Sequence, residues 1–229
     1  MDTETARNVL FAIATIGFVV WLAAMQFVAV CVKSEKDATR KAVEEFGLDE
    51  PPSGRLLVGR AEVEGQPAAL AARAAAALAN PWKSQLGPLK ILTKSDDRVV
   101  FEGVGQDAAG QAGWRIVGRG EMHFASAGPN RTAVVYAAEL RGGQWMLLLA
   151  KLFVVLGLAT LLAVGALLLV VVVPHPDPAV RTQAVQMVQA VHFLWPPFLF
   201  AGLYRSARRT ARAAFEVLVN NLPYSAEVS

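Results

Sequence analysis

The side chains that most often carry chemistry are sparse and badly spaced in this chain. Its histidines, His123, His175 and His192, are scattered and its single cysteine is Cys31, so the Cys/His zinc spacings and an intrachain disulfide are both excluded. Gly103-Val104-Gly105-Gln106-Asp107-Ala108 matches a loosened dinucleotide fingerprint after a strand, yet Ala109 to Trp114 runs straight into the next strand. Without a helix N-terminus nothing holds a pyrophosphate, and a glycine-rich loop is the plain reading. There is no G-x-S-x-G, no Walker loop and no H-E-x-x-H, so nucleophilic, phosphoryl-transfer and zinc chemistry lack their parts. Asp96 and Asp97 are adjacent in a polar turn and read as turn residues. His123 reads as a surface histidine, and His192, close to Pro196-Pro197 in an apolar stretch, as a packing or hydrogen-bonding group. The expectation is a chain with no catalytic residue, no metal and no cofactor.

The elements around these residues are dominated by apolar runs. Of 229 residues, 54% are hydrophobic and only 18% charged, which excludes a disordered, collagen-like or disulfide-stapled chain. A net charge of +3, from 22 basic and 19 acidic residues, is too even to imply nucleic acid as a partner. Val9 to Val32 is 24 residues without a charge, about 36 Å as a helix, enough for a hydrocarbon core of roughly 30 Å. Its leader carries Asp2 and Glu4 against Arg7, so an uncleaved anchor is expected instead of a signal peptide. Leu152 to Val173 is a second uncharged run, ended by Pro174. A third, Val188 to Tyr204, holds Gln189, His192 and Pro196-Pro197 and is expected to be kinked and packed on protein, with a re-entrant segment as the alternative.

Basic residues then set the expected orientation. Lys33, Lys36, Arg40 and Lys41 follow the first run, and Arg205, Arg208, Arg209 and Arg212 follow the third, while the connection from Pro174 to Met187 has only Arg181. Three spans place both rich clusters on one side. The expectation is an integral protein of a bacterial-type inner membrane, N-terminus outside, with the polar segment and the C-terminus in the cytoplasm.

Between the first two spans the texture becomes that of a folded domain. Residues 33–46 read as a helical stalk. Leu56 to Val63 reads as a strand, Pro67 opens an alanine-rich helix closed by Asn80-Pro81, and Leu89 to Thr93 with Arg98 to Glu102 form a hairpin around Lys94-Ser95-Asp96-Asp97. In Trp114 to Phe124 strict alternation puts Trp114, Ile116, Gly118, Gly120, Met122 and Phe124 on one face, and Arg115, Arg119, Glu121 and His123 on a wet one. After Gly128-Pro129-Asn130, Thr132, Val134, Tyr136, Ala138 and Leu140 share a face of the partner strand. Asn130-Arg131-Thr132 also fits a glycosylation acceptor, unused on a cytoplasmic turn. Beyond the third run, Ala211, Phe215, Leu218 and Leu222 form one helix face beside the arginines. Because the topology returns it to the sheet's side, that helix is expected to cover the face of Trp114, Phe124 and Tyr136.

Three stretches together resemble the START-like, helix-grip superfamily (SRPBCC, polyketide cyclase/dehydrase-like). They are VGRAEVEGQPAALAARAAAAL, a strand then G-x-P into a helix; PLKILTKSDDRVVFEG, a hairpin; and GRGEMHFASAGPNRTAVVYAAEL, a second hairpin. The closing helix stands where the family's long C-terminal helix would, although a membrane hairpin precedes it and the strands are fewer than usual. The resemblance implies a curved sheet gripping a helix around an apolar cavity for lipids or other hydrophobic molecules, and no shared catalytic residues.

The resulting expectation is an α+β membrane protein: an antiparallel helix-grip-like sheet with a C-terminal helix, plus three transmembrane helices. Residues 1–46 are the anchor and stalk, 47–144 the START-like sheet domain, 145–204 the transmembrane hairpin and 205–229 the helix packing on the sheet domain. The apolar strand face reads as plain core or as the wall of a ligand cavity, and Trp114, Ile116, Met122, Phe124, Val134 and Tyr136 are the candidate lining of that cavity, with the Tyr136 hydroxyl as its polar handle. Arg205, Arg208, Arg209 and Arg212 are candidates for anionic lipid headgroups, or simply a topology anchor. The partners expected are membrane lipids, a hydrophobic small molecule, or a membrane protein for which this chain is an accessory subunit.

Overall fold

A computed structural model of the chain describes residues 3–46, 56–80, 86, 89–103, 117–140, 143–172, 174–175, 177, 179 and 194–225. Along the chain come α1 (Thr3–Phe46), β1 (Leu56–Glu64), α2 (Pro67–Ala79), β2 (Leu89–Lys94), β3 (Arg98–Gly103), β4 (Val117–Gly128), β5 (Arg131–Leu140), α3 (Gly143–Leu167) and α4 (Pro196–Asn221). The protein is α+β, and its strands form one antiparallel sheet in the order β1-β5-β4-β3-β2. Two compact units divide the chain, a helical one (1–33 and 145–204) and a sheet unit (34–144 and 205–229).

In the helical unit two helices among the described residues are long and apolar enough to cross a membrane, Phe11–Ser34 within α1 and Trp145–Val170, which is α3 continued by a π-helical turn over Leu168–Val172. They touch where small or polar groups permit. The Trp21 indole N–H donates to the Val154 carbonyl at 2.9 Å, and Gly17 leaves room for Leu161 and Leu194. Stacked Phe153 and Phe200 and tilted Phe27 and Phe198 bring in the start of α4. Among the described residues the expected third span is not found as such. Its residues 188–193, His192 and Gln189 included, lie outside the described residues. Pro196 and Pro197 do not kink a helix; they open α4, with the Trp195 carbonyl accepting from the Phe198 and Leu199 amides. A proline at a helix start gives up an amide hydrogen that has no intrahelical partner, so there it is cost-free.

In the sheet unit the expected β-α-β-β-β-β order holds. Pro67 starts α2 after extended Gln66, and extended Asn80 ends it. The alanines of α2 let it lie close against β2, β3 and β4, burying Leu70 and Leu78 completely. Gly65 needs a left-handed φ of +129° to turn β1 into α2, and the buried Thr132 hydroxyl holds that turn by donating to the Gly65 carbonyl at 2.7 Å. Asn130, at φ +59°, makes the β4–β5 turn, and its carbonyl accepts from the Gly65 amide. The two chain reversals are thereby tied together.

Two departures from simple alternation follow from the register. A bulge between Val117 and Gly120 on β4 shifts the phase, so Val117 opposes Leu140 on the inner face, where strict alternation had put Gly118 and Ile116. Glu121, expected on a wet face, is only 9% exposed. Its neighbours on that outer face, Val100, Ala133 and Ala137, are also buried.

On the inner face Tyr136 opposes Gly59 of β1, and a Cβ there would fall 2.2 Å from the Tyr136 ring and hydroxyl. Gly59→Ala is therefore expected to destabilise the protein by about 1–3 kcal/mol through overpacking. In a double-mutant cycle with Tyr136→Leu, thermal unfolding should show most of that cost removed; a cost unchanged by Tyr136→Leu would mean that the close approach does not matter.

Candidate functional site

Four of the six candidate lining residues are described, and β4 and β5 bring them together. Met122 opposes Tyr136 and Phe124 opposes Val134, all on one sheet face and all essentially excluded from solvent. Trp114 and Ile116 lie outside the described residues. Within the sheet unit, α4 lays Ala211, Phe215, Leu218 and Leu222 against the interior, all buried. Phe215 stacks on Tyr136 with ring centroids 4.7 Å apart and 15° between planes, and meets Phe101 at 5.9 Å. Phe101 escaped the sequence reading because nothing in a six-residue strand shows which partner ring it will meet. Gly59 carried a usable signal, since an isolated glycine inside a strand marks a close approach.

The helix is pinned at both ends of this contact. Arg73 of α2 donates to the Leu222 and Pro223 carbonyls, at 3.4 and 3.0 Å, just past the end of α4, where a cation complements the helix dipole. Arg212 reaches across to the Val58 carbonyl at 3.2 Å and lies 4.0 Å from Glu216. Beneath them is the Tyr136 hydroxyl, on a residue 1% exposed, making no hydrogen bond of normal geometry among the described residues. Its pKa is pushed up to about 12, first by burial and then by the Glu216 carboxylate, with Arg212 opposing. The phenol therefore stays neutral inside an apolar interior, able to donate one hydrogen bond.

On the opposite sheet face a second polar group assembles. Arg98 Nε donates to Glu121 Oε2 at 3.0 Å, Arg98 Nη2 contacts the same oxygen, and His123 Nε2 lies 3.4 Å from it. Cross-strand pairing explains the cluster, because β3 and β4 set Arg98 directly opposite His123, two residue pairs from Val100 opposite Glu121 and so on the same face. The imidazole holds the Glu121 carboxyl below the ordinary range, as does Arg98, against the raising effect of burial. His123 is thus half-exposed and engaged by Glu121, and the arrangement is that of a cross-strand ion cluster. No group of His, Cys, Asp and Glu among the described residues has the geometry of a metal site. Asp96 and Asp97 sit in the β2–β3 turn, where the Ser95 hydroxyl donates to Asp97 Oδ1 at 2.8 Å.

The four arginines of α4 separate into two pairs. Arg208 and Arg212 take partners within the protein. Arg205 and Arg209, one turn apart, are exposed.

Two pH responses follow. A raised tyrosine pKa contributes stability present below the ordinary value of 10.0 and lost as pH climbs towards about 12. Denaturant midpoints should therefore fall between those values, and Tyr136→Phe should lessen the fall; an unaltered alkaline profile would count against the buried phenol. A lowered carboxylate pKa contributes stability present above the ordinary 4.5 and lost as pH falls below it. Glu121→Gln should cost about 1–3 kcal/mol at neutral pH, and the difference from the parent should shrink in acid. A pH-independent difference would show that its charge is not what matters.

Compared with family models, curated proteins and solved structures, the chain matches none.

Proposed function

We propose that this is a non-enzymatic integral membrane protein whose sheet unit is START-like and takes a hydrophobic ligand or lipid beside the bilayer. Membrane insertion is supported by apolar surface with no aqueous use. Only 6% of the most apolar window of the Trp145–Val170 helix is buried, and Leu148, Leu152, Val155, Leu162, Leu169 and Val170 are exposed. A soluble core helix would be covered. The Trp21 to Val154 hydrogen bond suits the same setting, since lipid offers an indole N–H no acceptor. The charge distribution favours a cytoplasmic sheet unit in a bacterial-type inner membrane, with the N-terminus outside.

The helix-grip reading rests on the strand order, with β1 next to the last strand and a long C-terminal helix on the sheet, together with the sequence stretches that resemble the family. The ligand reading is carried by the Tyr136 hydroxyl. A buried, unpaired donor costs about 1–3 kcal/mol, and an acceptor on an otherwise apolar molecule would recover it. A specific observation favours a second reading, an accessory subunit with a filled core: Phe215 already stacks on Tyr136, so a ligand would have to displace that ring.

Native mass spectrometry of the detergent-purified protein separates the two. On the first reading the parent carries an apolar small molecule that Tyr136→Phe retains less well; an empty protein purifying with a stoichiometric partner chain supports the second. Membrane placement is tested independently by carbonate extraction, and by labelling Ser95→Cys and Ser225→Cys in a Cys31→Ser background. Both sites should be shielded from an impermeant reagent outside the cell, and labelling of either one from outside would overturn the orientation.

A further inference from the structure

The exposed arginines of α4 are the strongest charged feature that the interior does not use. From Pro196 to Phe215 this helix carries Arg205, Arg208, Arg209 and Arg212 and no acidic residue; Glu216 is the first. By helical periodicity the four lie within about 100° of one another around the axis. Two of them serve the fold: Arg212 donates to the Val58 carbonyl, and Arg208 is half-buried with a partner. Arg205 and Arg209 are different. They are solvent-exposed, no ion pair or hydrogen bond engages them among the described residues, and in sequence they directly follow Leu199, Phe200 and Leu203 on one continuous helix. An apolar helix followed by unpaired guanidinium groups is the order in which a helix leaves a hydrocarbon core through the headgroup layer.

We propose that Arg205 and Arg209 bind the phosphates of anionic phospholipid headgroups, making the sheet unit's end of α4 a lipid-reading surface. This rests on the membrane reading above and adds a lipid class to it. Guanidinium suits the role because its planar donors pair bidentately with phosphate oxygens, and because its charge does not titrate. Arg212, held to Val58 and close to Glu216, is expected to add little.

The test uses the full-length protein in mild nonionic detergent, titrated with dioleoylphosphatidylglycerol or dioleoylphosphatidylcholine, with bound lipid counted by native mass spectrometry. A basic group near an anionic surface is worth about 1 kcal/mol, so R205Q/R209Q should weaken phosphatidylglycerol binding by roughly 25-fold, with phosphatidylcholine unaffected. R205K/R209K, which keeps the charge but loses the planar fork, should bind phosphatidylglycerol more weakly than the parent and more tightly than R205Q/R209Q, and it reads the site if the glutamine variant fails to fold. R60Q/R119Q, removing two exposed arginines of the sheet, should bind as the parent does. Equal binding of both lipids by the parent, or equal losses in R60Q/R119Q and R205Q/R209Q, would overturn the proposal. Because carbonate extraction reads insertion separately, failure here is distinguishable from failure of the membrane reading.

Discussion

The sheet unit depends on one close approach, the Tyr136 ring over the bare backbone of Gly59. Without a side chain at Gly59, the ring lies across β1 and presents a flat face to Phe215, which stacks on it at 4.7 Å. That stack seats α4, and Phe101 closes its other side. Any side chain at Gly59 would lift the ring, and with it the platform on which the helix rests. The arginines at the two ends then hold the helix in register: Arg73 on the carbonyls beyond its last turn, Arg212 on the β1 backbone. Apolar stacking supplies the energy of this interior and backbone hydrogen bonds supply its direction.

The same arrangement creates the tension that bears on function. Burying the Tyr136 ring gains apolar contact, but it takes the hydroxyl out of water next to Arg212 and Glu216 without a well-formed partner. Phenylalanine would fill the space without that cost, so the hydroxyl is the natural place to look for a second role. The sheet's other face has no such tension, since the Glu121 carboxylate is paired with Arg98 of the adjacent strand and lies 3.4 Å from the His123 imidazole.

The helical unit poses a different physical problem. A helix as apolar as Trp145–Val170 and as little covered by protein leaves exposed surface that water disfavours, whereas the sheet unit buries its apolar side chains internally. Residues 205–225 belong to the sheet unit although the helix that carries them starts in the helical one. Phe215 at the core and Arg209 at the surface are therefore set by a single helical phase.

Periodicity and punctuation made much of the fold legible in the sequence. Pro67 and Asn80 bounded α2, the Ser95-Asp96-Asp97 turn and the Gly128-Pro129-Asn130 turn bounded the hairpins, and the four-three-four spacing from Ala211 to Leu222 marked the buried face of α4. These are local rules, expressed by residues within a turn or two of one another. What only the tertiary structure decided depends on partners far apart in the chain. Pro196-Pro197 became a helix start because the turn at Trp195 supplies the first acceptor. The phase of β4 slipped at a bulge fixed by pairing with β5, and Glu121 turned from a wet residue into a buried one because Arg98 stands on the neighbouring strand. The stack of Phe215 on Tyr136 joins residues 79 positions apart, and no local pattern encodes it because neither ring's burial is determined until the other arrives.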